Sequence, residues 1–475
     1  MRPRPFNLRR NSLIAALLLP ALLWGCAMAP PEPTRDEAPL PQRFADAGTK
    51  PLPEHWWRYF DDPALDDLVR QALVGNFSLA LARSRLRQAQ AVARRDSAGL
   101  WPSLEADGEA SRTRRSSDTA TRTATRTDNS YTAGLAASYE VDLWGRIDAA
   151  ARASEMESAA TAADLRAAAV TVSADVAGTF YSLTRQRALV DLLQSQLETN
   201  RHIQELVTLR YRNGQASADE VLRQQQLVEQ TRASLAEARA QTSLLRHQLA
   251  VLLGRPPGEL AAPQRSKLTA VPALPAAGIP AEWLRQRPDL EAAFLRVRSA
   301  NAEAAAAIAA QYPRIDLSAS LQSSATTPGA VFNDWLSTLA ANLTAPLFDG
   351  GQRRAEAQRA REAVRGTLAD YAQTVLGAVR EVQDALVAEH RDRQSLDSLD
   401  RQVRLAQDAL DQLRNRYMNG ATDYLNVLDA LSSLQDTERS RLDAHWALIQ
   451  DRITLARALA AGSEPTDTAD AEPRE

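Results

Sequence analysis

The pentapeptides RYRNG at 210–214 and RYMNG at 416–420 are two copies of one motif, about 206 positions apart. In each copy a long segment rich in Ala, Leu, Gln and Arg leads into Asn-Gly, and a second such segment follows it. Asn-Gly favours the left-handed backbone conformation that ends one helix and reverses the chain into the next. Each copy therefore predicts the tip of a long helical hairpin.

The composition agrees with a chain built from two repeats of one helical unit rather than from several globular domains. Hydrophobic residues make up 44% of the 475 residues, but aromatic residues only 5%. Such a composition suits long helices with narrow apolar seams better than a thick core. The formal net charge of −3 carries no signature of a polyanionic ligand, so the sequence argues against nucleic-acid binding.

The N-terminus has the layout of a secretory signal. Four arginines precede an apolar run at 13–23 that is too short to span a membrane as a helix. Leu23-Trp24-Gly25-Cys26 then resembles a lipobox, in which the cysteine becomes the lipidated N-terminus, although Trp24 stands where a small residue is usual. If Cys26 is lipidated, Ala27 in the next position favours sorting to the outer membrane, because an Asp there would favour retention in the inner membrane in the enteric pattern. The alternative is an ordinary signal peptide with an incidental cysteine.

The first repeat begins with residues at helical spacing. Apolar residues recur at this spacing from Leu65, and Asn76 can cap a second helix that runs from Phe77 to about Ala98. The long helix predicted from Arg146 to Asn213 has about 68 residues and a length on the order of 100 Å, and a returning helix follows it. Its two apolar seams indicate neighbours on both sides, as in a closed ring of helices.

Between these helices the period of the pattern changes from that of a helix to that of a strand. Apolar and polar residues alternate from Leu104 to Ser111 and again from Tyr131 to Val141, which predicts two strands. The segment between them, Arg112 to Ser130, consists almost entirely of Thr, Arg, Ser and Asp, and predicts a long loop in water. The second repeat follows the same order, with strands predicted from Ile315 and from Trp335.

These patterns divide the chain into six segments. They are a lipoprotein signal peptide at 1–25, a lipid-anchored tether at 26–60, a first repeat at 61–254, an equatorial linker at 255–285, a second repeat at 286–461 and a disordered acidic tail at 462–475. The β-hairpins are expected at 103–141 and 314–346, and the helical hairpin tips near 214 and 420. In each repeat the strand pair precedes the long helical hairpin.

Four strands that are apolar on one face and polar on the other suit a membrane β-barrel with lipid outside and water inside. Spanning barrels need at least about eight strands, so several chains must pool theirs. A soluble sandwich of two hairpins is the alternative, and it leaves the long helices unexplained. Interfacial aromatic residues are expected near the strand ends at Trp101, Tyr131, Tyr139, Tyr312 and Trp335. Acidic residues expected to face the lumen predict a cation-leaning pore, namely Glu105, Asp107, Glu109, Glu140 and Asp316.

Three motifs follow the predicted strand pairs in a fixed order: DLWGR at 142–146, PLFDGG at 346–351 and the two RYxNG tips. With this ordered set the chain, from Trp56 to Gly462, resembles the outer membrane factors of Gram-negative tripartite efflux systems, the TolC-like proteins. The lipobox makes it most similar to their NodT-type lipoprotein branch. The resemblance implies a mixed α and β membrane protein, a homotrimer with a 12-stranded outer-membrane β-barrel to which each chain gives four strands. A periplasmic α-helical barrel of long coiled-coil hairpins would continue it, with a small mixed equatorial region.

Proteins of this family are the exit ducts of tripartite pumps, and they pass drugs or other small molecules to the outside of the cell. The resemblance therefore implies a lipid-anchored outer-membrane protein with a large periplasmic portion, gated at the periplasmic helix tips. Its partners would be further copies of the chain, a periplasmic adaptor, an inner-membrane efflux transporter and outer-membrane lipid. The alternatives are a periplasmic adaptor lipoprotein and a type I secretion channel of the same architecture.

The resemblance also assigns roles at the helix tips. The stretch after the second tip matches the family's gate, so Leu425 and Asp429 would form an apolar ring and an acidic ring, although Asn426 stands where many relatives carry a second acid. Latch residues, which would hold the tips against neighbouring helices, are expected at Arg210, Tyr211, Arg416 and Tyr417. For the two arginines the alternative is an interaction with the terminal carbonyl groups of their own helices. Contacts with the adaptor are expected at Gly214, Ser217, Gly420 and Asp423, of which Ser217 and Asp423 can also cap helices.

The sequence argues against catalysis and against a bound cofactor or metal. Its five histidines are scattered, and common motifs for nucleophiles, phosphate loops and zinc hydrolases are missing from the sequence. Cys26 is the only cysteine, so neither a disulfide framework nor a Cys-based metal site is available. The one covalent group expected is the N-acyl diglyceride lipid on Cys26.

Overall fold

The computed structural model describes residues 52–53, 55–119, 122–259, 265–276 and 286–459. The signal peptide, Cys26 with its lipobox, most of the tether and the acidic tail lie outside these residues. The chain divides into two compact units. We call them the sheet unit, with described residues in 86–161 and 293–371, and the helical unit, with described residues in 52–85, 162–292 and 372–459.

Helices account for most of the described residues. The seven α-helices found there are α1 (Pro63–Gly75), α2 (Phe77–Ser97), α3 (Arg146–Arg212), α4 (Ala218–Leu252), α5 (Pro288–Ala309), α6 (Gln352–Met418) and α7 (Tyr424–Leu459). Short 3-10 helices occur at Trp56–Phe60, Ala98–Leu100 and Pro328–Ala330. The strands are β1 (Ser103–Thr119), β2 (Arg122–Val141), β3 (Arg314–Ala325) and β4 (Leu336–Thr344). Among the described residues, no helix has both the length and the apolarity needed to cross a membrane.

Local side chains explain where the first helices begin. The Asp62 carboxylate accepts a hydrogen bond from the N–H of Ala64 at 3.2 Å at the start of α1. The Asn76 side chain accepts from the N–H groups of Ser78 and Leu79 at 2.8 and 3.2 Å, which confirms the predicted cap of α2. Each cap satisfies backbone donors that the first turn of a helix leaves unpaired.

The end of the predicted tether is packed against the helical unit. Residues Trp56–Phe60 form a 3-10 helix with four buried aromatic side chains. Trp56 is only 1% exposed, and its indole N–H donates to the Ser173 hydroxyl of α3 at 2.9 Å. Burial of such large rings stabilises the segment Trp56–Phe60 on the helices.

The two longest helices end in the same turn. α3 and α6 each contain 67 residues, so each is about 100 Å long. Gly214 and Gly420 have left-handed φ angles of 70° and 73°. The N–H of the residue after each glycine donates to the carbonyl of Arg210 or Arg416 at 2.8 Å, which is the Schellman arrangement. The two predicted hairpin tips are confirmed.

The four strands form one antiparallel sheet in the order β1-β2-β3-β4. Residues directly opposite each other in paired strands lie on the same face. Ala106 lies opposite Leu135, and Leu135 opposite Leu321, whereas Glu140 lies opposite Asp316. The register thus confirms an apolar face and a polar face. The apolar face also carries Leu104, Ala137, Leu317, Leu339 and Leu343, and the polar face also carries Glu105, Asp107 and Glu109.

Within one chain the apolar face is uncovered and both outer edges of the sheet are unpaired. Leu339 is 84% exposed and Leu343 is 71% exposed. Among the described strands, β1 pairs with β2 alone and β4 pairs with β3 alone. The sheet therefore has apolar surface and backbone hydrogen-bonding groups to offer to its surroundings.

The prediction of a long loop from Arg112 to Ser130 is wrong. β1 continues to Thr119 and β2 begins at Arg122, and the residues are paired as far as Thr119 opposite Arg122. Because both faces of this ribbon are polar, it lacks the alternation that marks a half-buried strand, while its many threonines favour extended backbone. The side chains described at 112–116 and 125–130 are exposed, as their polarity predicts.

Side chains of the DLWGR motif fix the junction between β2 and α3 within the sheet unit. Asp142 accepts a hydrogen bond from a backbone N–H in the first turn of α3 at 2.8 Å. Trp144 stacks on Tyr312 with ring centroids 5.0 Å apart, and Arg146 forms a 2.7 Å ion pair with Glu140. These contacts explain why the motif combines an acid, an indole and a cation at the change from strand to helix.

Candidate functional site at the helix tips

An apolar cluster joins the two hairpin tips within the helical unit. Its buried members are Val207 of α3, Tyr417 of α6, and Tyr424 and Val427 of α7. Partly buried residues pack around this cluster, namely Ile203, Ala216, Val221, Leu410, Leu413 and Leu428. Two tips that are about 206 positions apart in the sequence therefore share one small core.

Tyr417 also links the two tips through polar contacts. Its hydroxyl donates to Glu220 at 2.9 Å, and the same carboxylate accepts from the N–H of Ser217 at 3.4 Å where α4 begins. The Arg210 guanidinium lies over the Tyr417 ring, 4.5 Å from its centroid. Burial and the hydrogen bond to Glu220 raise the pKa of Tyr417 to about 12, so the phenol stays a donor throughout the physiological range.

The four predicted latch residues lie in different environments. Arg210 and Tyr417 belong to the packed tip, whereas Tyr211 is 48% exposed and Arg416 is exposed. Among the described residues, Arg416 has no ion-pair partner. The structure therefore brings Arg210 and Tyr417 together and leaves the other two on the surface, and the latch role itself stays a prediction.

A buried polar network lies directly behind the apolar cluster. The Tyr424 hydroxyl donates to Gln224 at 2.5 Å, and the Gln224 amide donates to the carbonyl of Asn200 at 2.7 Å. The Asn200 side chain accepts from Gln435 at 2.8 Å and donates to the Thr231 hydroxyl at 2.9 Å. All five residues are buried, and burial raises the pKa of Tyr424. The network ties α3, α4 and α7 together over about three turns of α7.

The sequence pattern did not predict this network. Its amides lie beside a seam in which Leu193, Leu197, Val228 and Leu235 pack together. An Asn or Gln within an apolar seam could have indicated the network, because a buried polar residue in a coiled coil usually specifies the register of the helices. The partners come from different helices, so the sequence pattern alone did not identify which amides would meet.

The two predicted gate residues lie on one exposed side of α7. Tyr424 and Val427 face the tip core, whereas Leu425 is 47% exposed and Asp429 is exposed. Residues at i and i+4 are neighbours on a helix surface. Asn426 lies between them and donates to the Thr422 hydroxyl at 3.0 Å. Within the described part of the chain, Asp429 has no hydrogen-bond or ion-pair partner.

The residues predicted to touch an adaptor are all exposed at the two tips. Gly214 and Gly420 form the turns, and Ser217 and Asp423 directly precede α4 and α7. Ser217 shares the Glu220 carboxylate through its N–H and its hydroxyl, the latter at 3.2 Å. Capping positions and exposed tip positions thus coincide, as the sequence predicts.

A family model for the outer membrane efflux protein matches residues 68–255 and 279–461, and so covers both repeats. The chain belongs to the outer membrane efflux protein family. It is a protein of the outer membrane with a large periplasmic portion, and its function is that of an efflux channel. The family predicted from the motifs is confirmed.

Individual relatives agree with this family over nearly the full length. The chain is 33% identical to the pyoverdine export outer membrane protein OpmQ of Pseudomonas aeruginosa, over 96% of this chain and 97% of OpmQ. It is 27% identical to the cation efflux system protein CusC of Escherichia coli K12, over 93% of this chain and 97% of CusC. A solved structure of the outer-membrane channel OprN matches with a TM-score of 0.85 and 29% identity, over 93% of this chain and 100% of the OprN chain. The predicted mixed α and β fold is confirmed.

Replacing Tyr424 by Phe should destabilise the tips. The substitution removes the donor to Gln224 inside a buried network, which costs about 1–3 kcal/mol. We expect a lower melting temperature and faster proteolysis near Gly214 and Gly420. Tyr211→Phe is the matched control, because Tyr211 is half exposed and has no hydrogen bond through its hydroxyl within the described residues. Equal effects of the two substitutions would contradict a stabilising role for the network.

Proposed function

We propose that three copies of the chain form an exit duct with a 12-stranded barrel in the outer membrane and a tube of twelve helices in the periplasm. The observation that supports this most directly is the sheet with one apolar face and two unpaired edges. In lipid each unsatisfied backbone group costs several kcal/mol, and four strands are about half of the smallest spanning barrel. Three chains supply twelve strands, and α3, α4, α6 and α7 of each chain supply the same number of helices.

The length of the apolar face fits the thickness of a membrane. On β2 the apolar row runs from Tyr131 to Val141, which is about 34 Å along the strand. With the usual strand tilt of roughly 40° this becomes about 26 Å along the membrane normal, close to the apolar band of outer-membrane barrels. Aromatic residues lie near the ends of this row and of β4, namely the partly buried Tyr131 and the exposed Trp335.

The duct conducts passively and receives its cargo from other proteins. A periplasmic adaptor contacts the tips at Gly214, Ser217, Gly420 and Asp423, and an inner-membrane transporter supplies the energy. The chain itself catalyses no reaction and binds no nucleic acid. OpmQ is named for pyoverdine export and CusC for cation efflux. Since such different cargoes are exported through similar channels, we assign the choice of cargo to the transporter and the adaptor.

The gate lies at the first turns of α7. Leu425 and Asp429, repeated by threefold symmetry, form an apolar ring and an acidic ring at the periplasmic mouth. Like charges brought close in a narrow bore oppose closure unless they are protonated or bound to cations. A type I secretion channel of the same architecture is the second candidate, and it shares this gate. The adaptor alternative is less suitable, because each of the two helical hairpins follows an amphipathic strand pair.

Detergent-extracted protein from the outer-membrane fraction should be a trimer. Light scattering should give the mass of three chains, and electron microscopy should show a particle longer than about 100 Å, because α3 and α6 each have that length. A compact monomer, or a protein found only in the inner membrane, would contradict the shared barrel and favour the adaptor alternative.

Replacing Leu425 and Asp429 by Ala together should increase single-channel conductance in planar bilayers. The double substitution removes the side chains that narrow the mouth in the proposed gate. Leu405→Ala with Asp408→Ala is the matched control, since both residues are exposed on α6 and leave α7 intact. Conductance that matches the wild type in the gate variant would remove these residues from the gate.

The mature protein should begin at Cys26 and carry a diacylglyceryl group with an N-acyl chain. Mass spectrometry of the N-terminal peptide and labelling with radioactive palmitate test this expectation. Cys26→Ser should abolish the label, because no other cysteine is present in the sequence. An unlabelled wild-type protein cleaved elsewhere would instead identify an ordinary signal peptide.

A further inference from the structure

A two-stranded ribbon extends β1 and β2 beyond the rest of the sheet. The last pair between β2 and β3 is Tyr131 with Ala325, whereas β1 and β2 remain paired from Ser111–Ser130 to Thr119–Arg122. Nine further residue pairs correspond to about 30 Å of ribbon. The long helix α3 leaves the sheet at its opposite end, after Val141. In the proposed duct the ribbon therefore projects from the outer surface of the membrane.

Two arginines of this ribbon continue the lipid-facing row of β1. Side chains alternate between the faces of a strand, so the apolar row that ends at Ala110 continues with Arg112 and Arg114. Opposite these two arginines are Asn129 and Thr127 of β2. The Cα atoms of Arg112 and Arg114 thus lie about 7 and 14 Å beyond Ala110 along the strand.

Aromatic residues mark the level at which the apolar band ends. Tyr131 lies opposite Ala110, the last apolar residue of the row. At the same end of the sheet, Phe332 and Trp335 are exposed and their ring centroids are 6.0 Å apart. Rings of this kind occupy the headgroup level of membranes. Arg112 and Arg114 therefore lie at the level of the lipid headgroups and just above it.

The described side chains of this outer face carry a net positive charge. Arg112 and Arg114 are exposed, and neither forms an ion pair within the described part of the chain. On the inner face, by contrast, Arg126 pairs with Asp128 at 2.8 Å. The outward-facing side chains described beyond Ala110 include no carboxylate: they are Arg112, Arg114, Ser116, Thr125, Thr127 and Asn129.

We propose that Arg112 and Arg114 bind the phosphate groups of glycolipid in the outer leaflet, the diphosphorylated lipid A that anchors lipopolysaccharide. Guanidinium groups pair with phosphate oxygens through two parallel hydrogen bonds, and Asn129 and Thr127 offer further donors beside them. This inference rests on the proposed barrel, since only that barrel turns the apolar row toward lipid. The row joins the lipid-facing surface without a break, which favours a lipid headgroup over a dissolved anion.

Native mass spectrometry of the detergent-purified full chain, titrated with diphosphoryl lipid A, tests the proposal. We expect Arg112→Gln with Arg114→Gln to weaken binding about 25-fold, from roughly fivefold for each basic residue near an anionic membrane surface. Arg115→Gln is the matched control for each single variant, Arg112→Gln or Arg114→Gln, because it removes one charge from the opposite face of the same ribbon. Binding by this control should stay within about twofold of the wild type, allowing for weak long-range attraction.

Lipid A without its phosphates should bind the wild-type protein about as weakly as diphosphoryl lipid A binds the double variant. Equal losses in Arg112→Gln, Arg114→Gln and Arg115→Gln would show diffuse attraction and overturn the proposal. Displacement of lipid A by millimolar inorganic phosphate would assign the arginines to dissolved anions instead. The mass of the wild-type particle separates the two proposals. If the wild type is a conducting trimer and the double variant binds lipid A normally, only the lipid A site is refuted. If the wild type is a monomer, the duct is refuted.

Discussion

The unpaired backbone groups along the outer edges of β1 and β4 constrain the whole molecule. In water such edges can be hydrated, but in lipid each exposed N–H or C=O is costly. The apolar face imposes the opposite requirement, because leucines such as Leu339, 84% exposed in one chain, are unfavourable in water. Lipid can cover the apolar face but cannot pair with the edge groups. Strands of a neighbouring chain can pair with the N–H and C=O groups of the edges but do not cover the face. The sheet therefore requires insertion into lipid and association with other chains together.

The helical unit follows a different rule, with polar groups inside. Apolar seams between helices tolerate sliding by one heptad, because one leucine can replace another in the same hole. The amides of Asn200, Gln224 and Gln435 cannot slide in this way, since each would lose a partner in a buried site. A slip of seven residues would move a helix by about 10 Å. The network therefore fixes the height at which Leu425 and Asp429 stand relative to the neighbouring helices.

Features set by residues close in sequence could be predicted. The cap at Asn76 and the turns at Gly214 and Gly420 depend on a few neighbouring side chains or on one left-handed glycine. The two faces of the sheet followed from a period of two. The ribbon at 112–130 could not be recognised in this way, because a strand that is polar on both faces has no period to detect. The bond between Tyr417 and Glu220 joins residues 197 positions apart, and no local pattern records such a pairing.

The two tips make the same turn in different surroundings. Tyr417 is buried, whereas Tyr211, at the matching position of the first repeat, is 48% exposed. Where the second repeat carries Leu425 and Asp429, the first carries Asp219 and Arg223. Six copies of a single repeat would supply as many strands and helices as three of these chains, but their tips would all be identical. Fusion of two repeats lowers a sixfold ring to threefold symmetry, so that the two sets of tips can differ, as the proposed gate at one set requires.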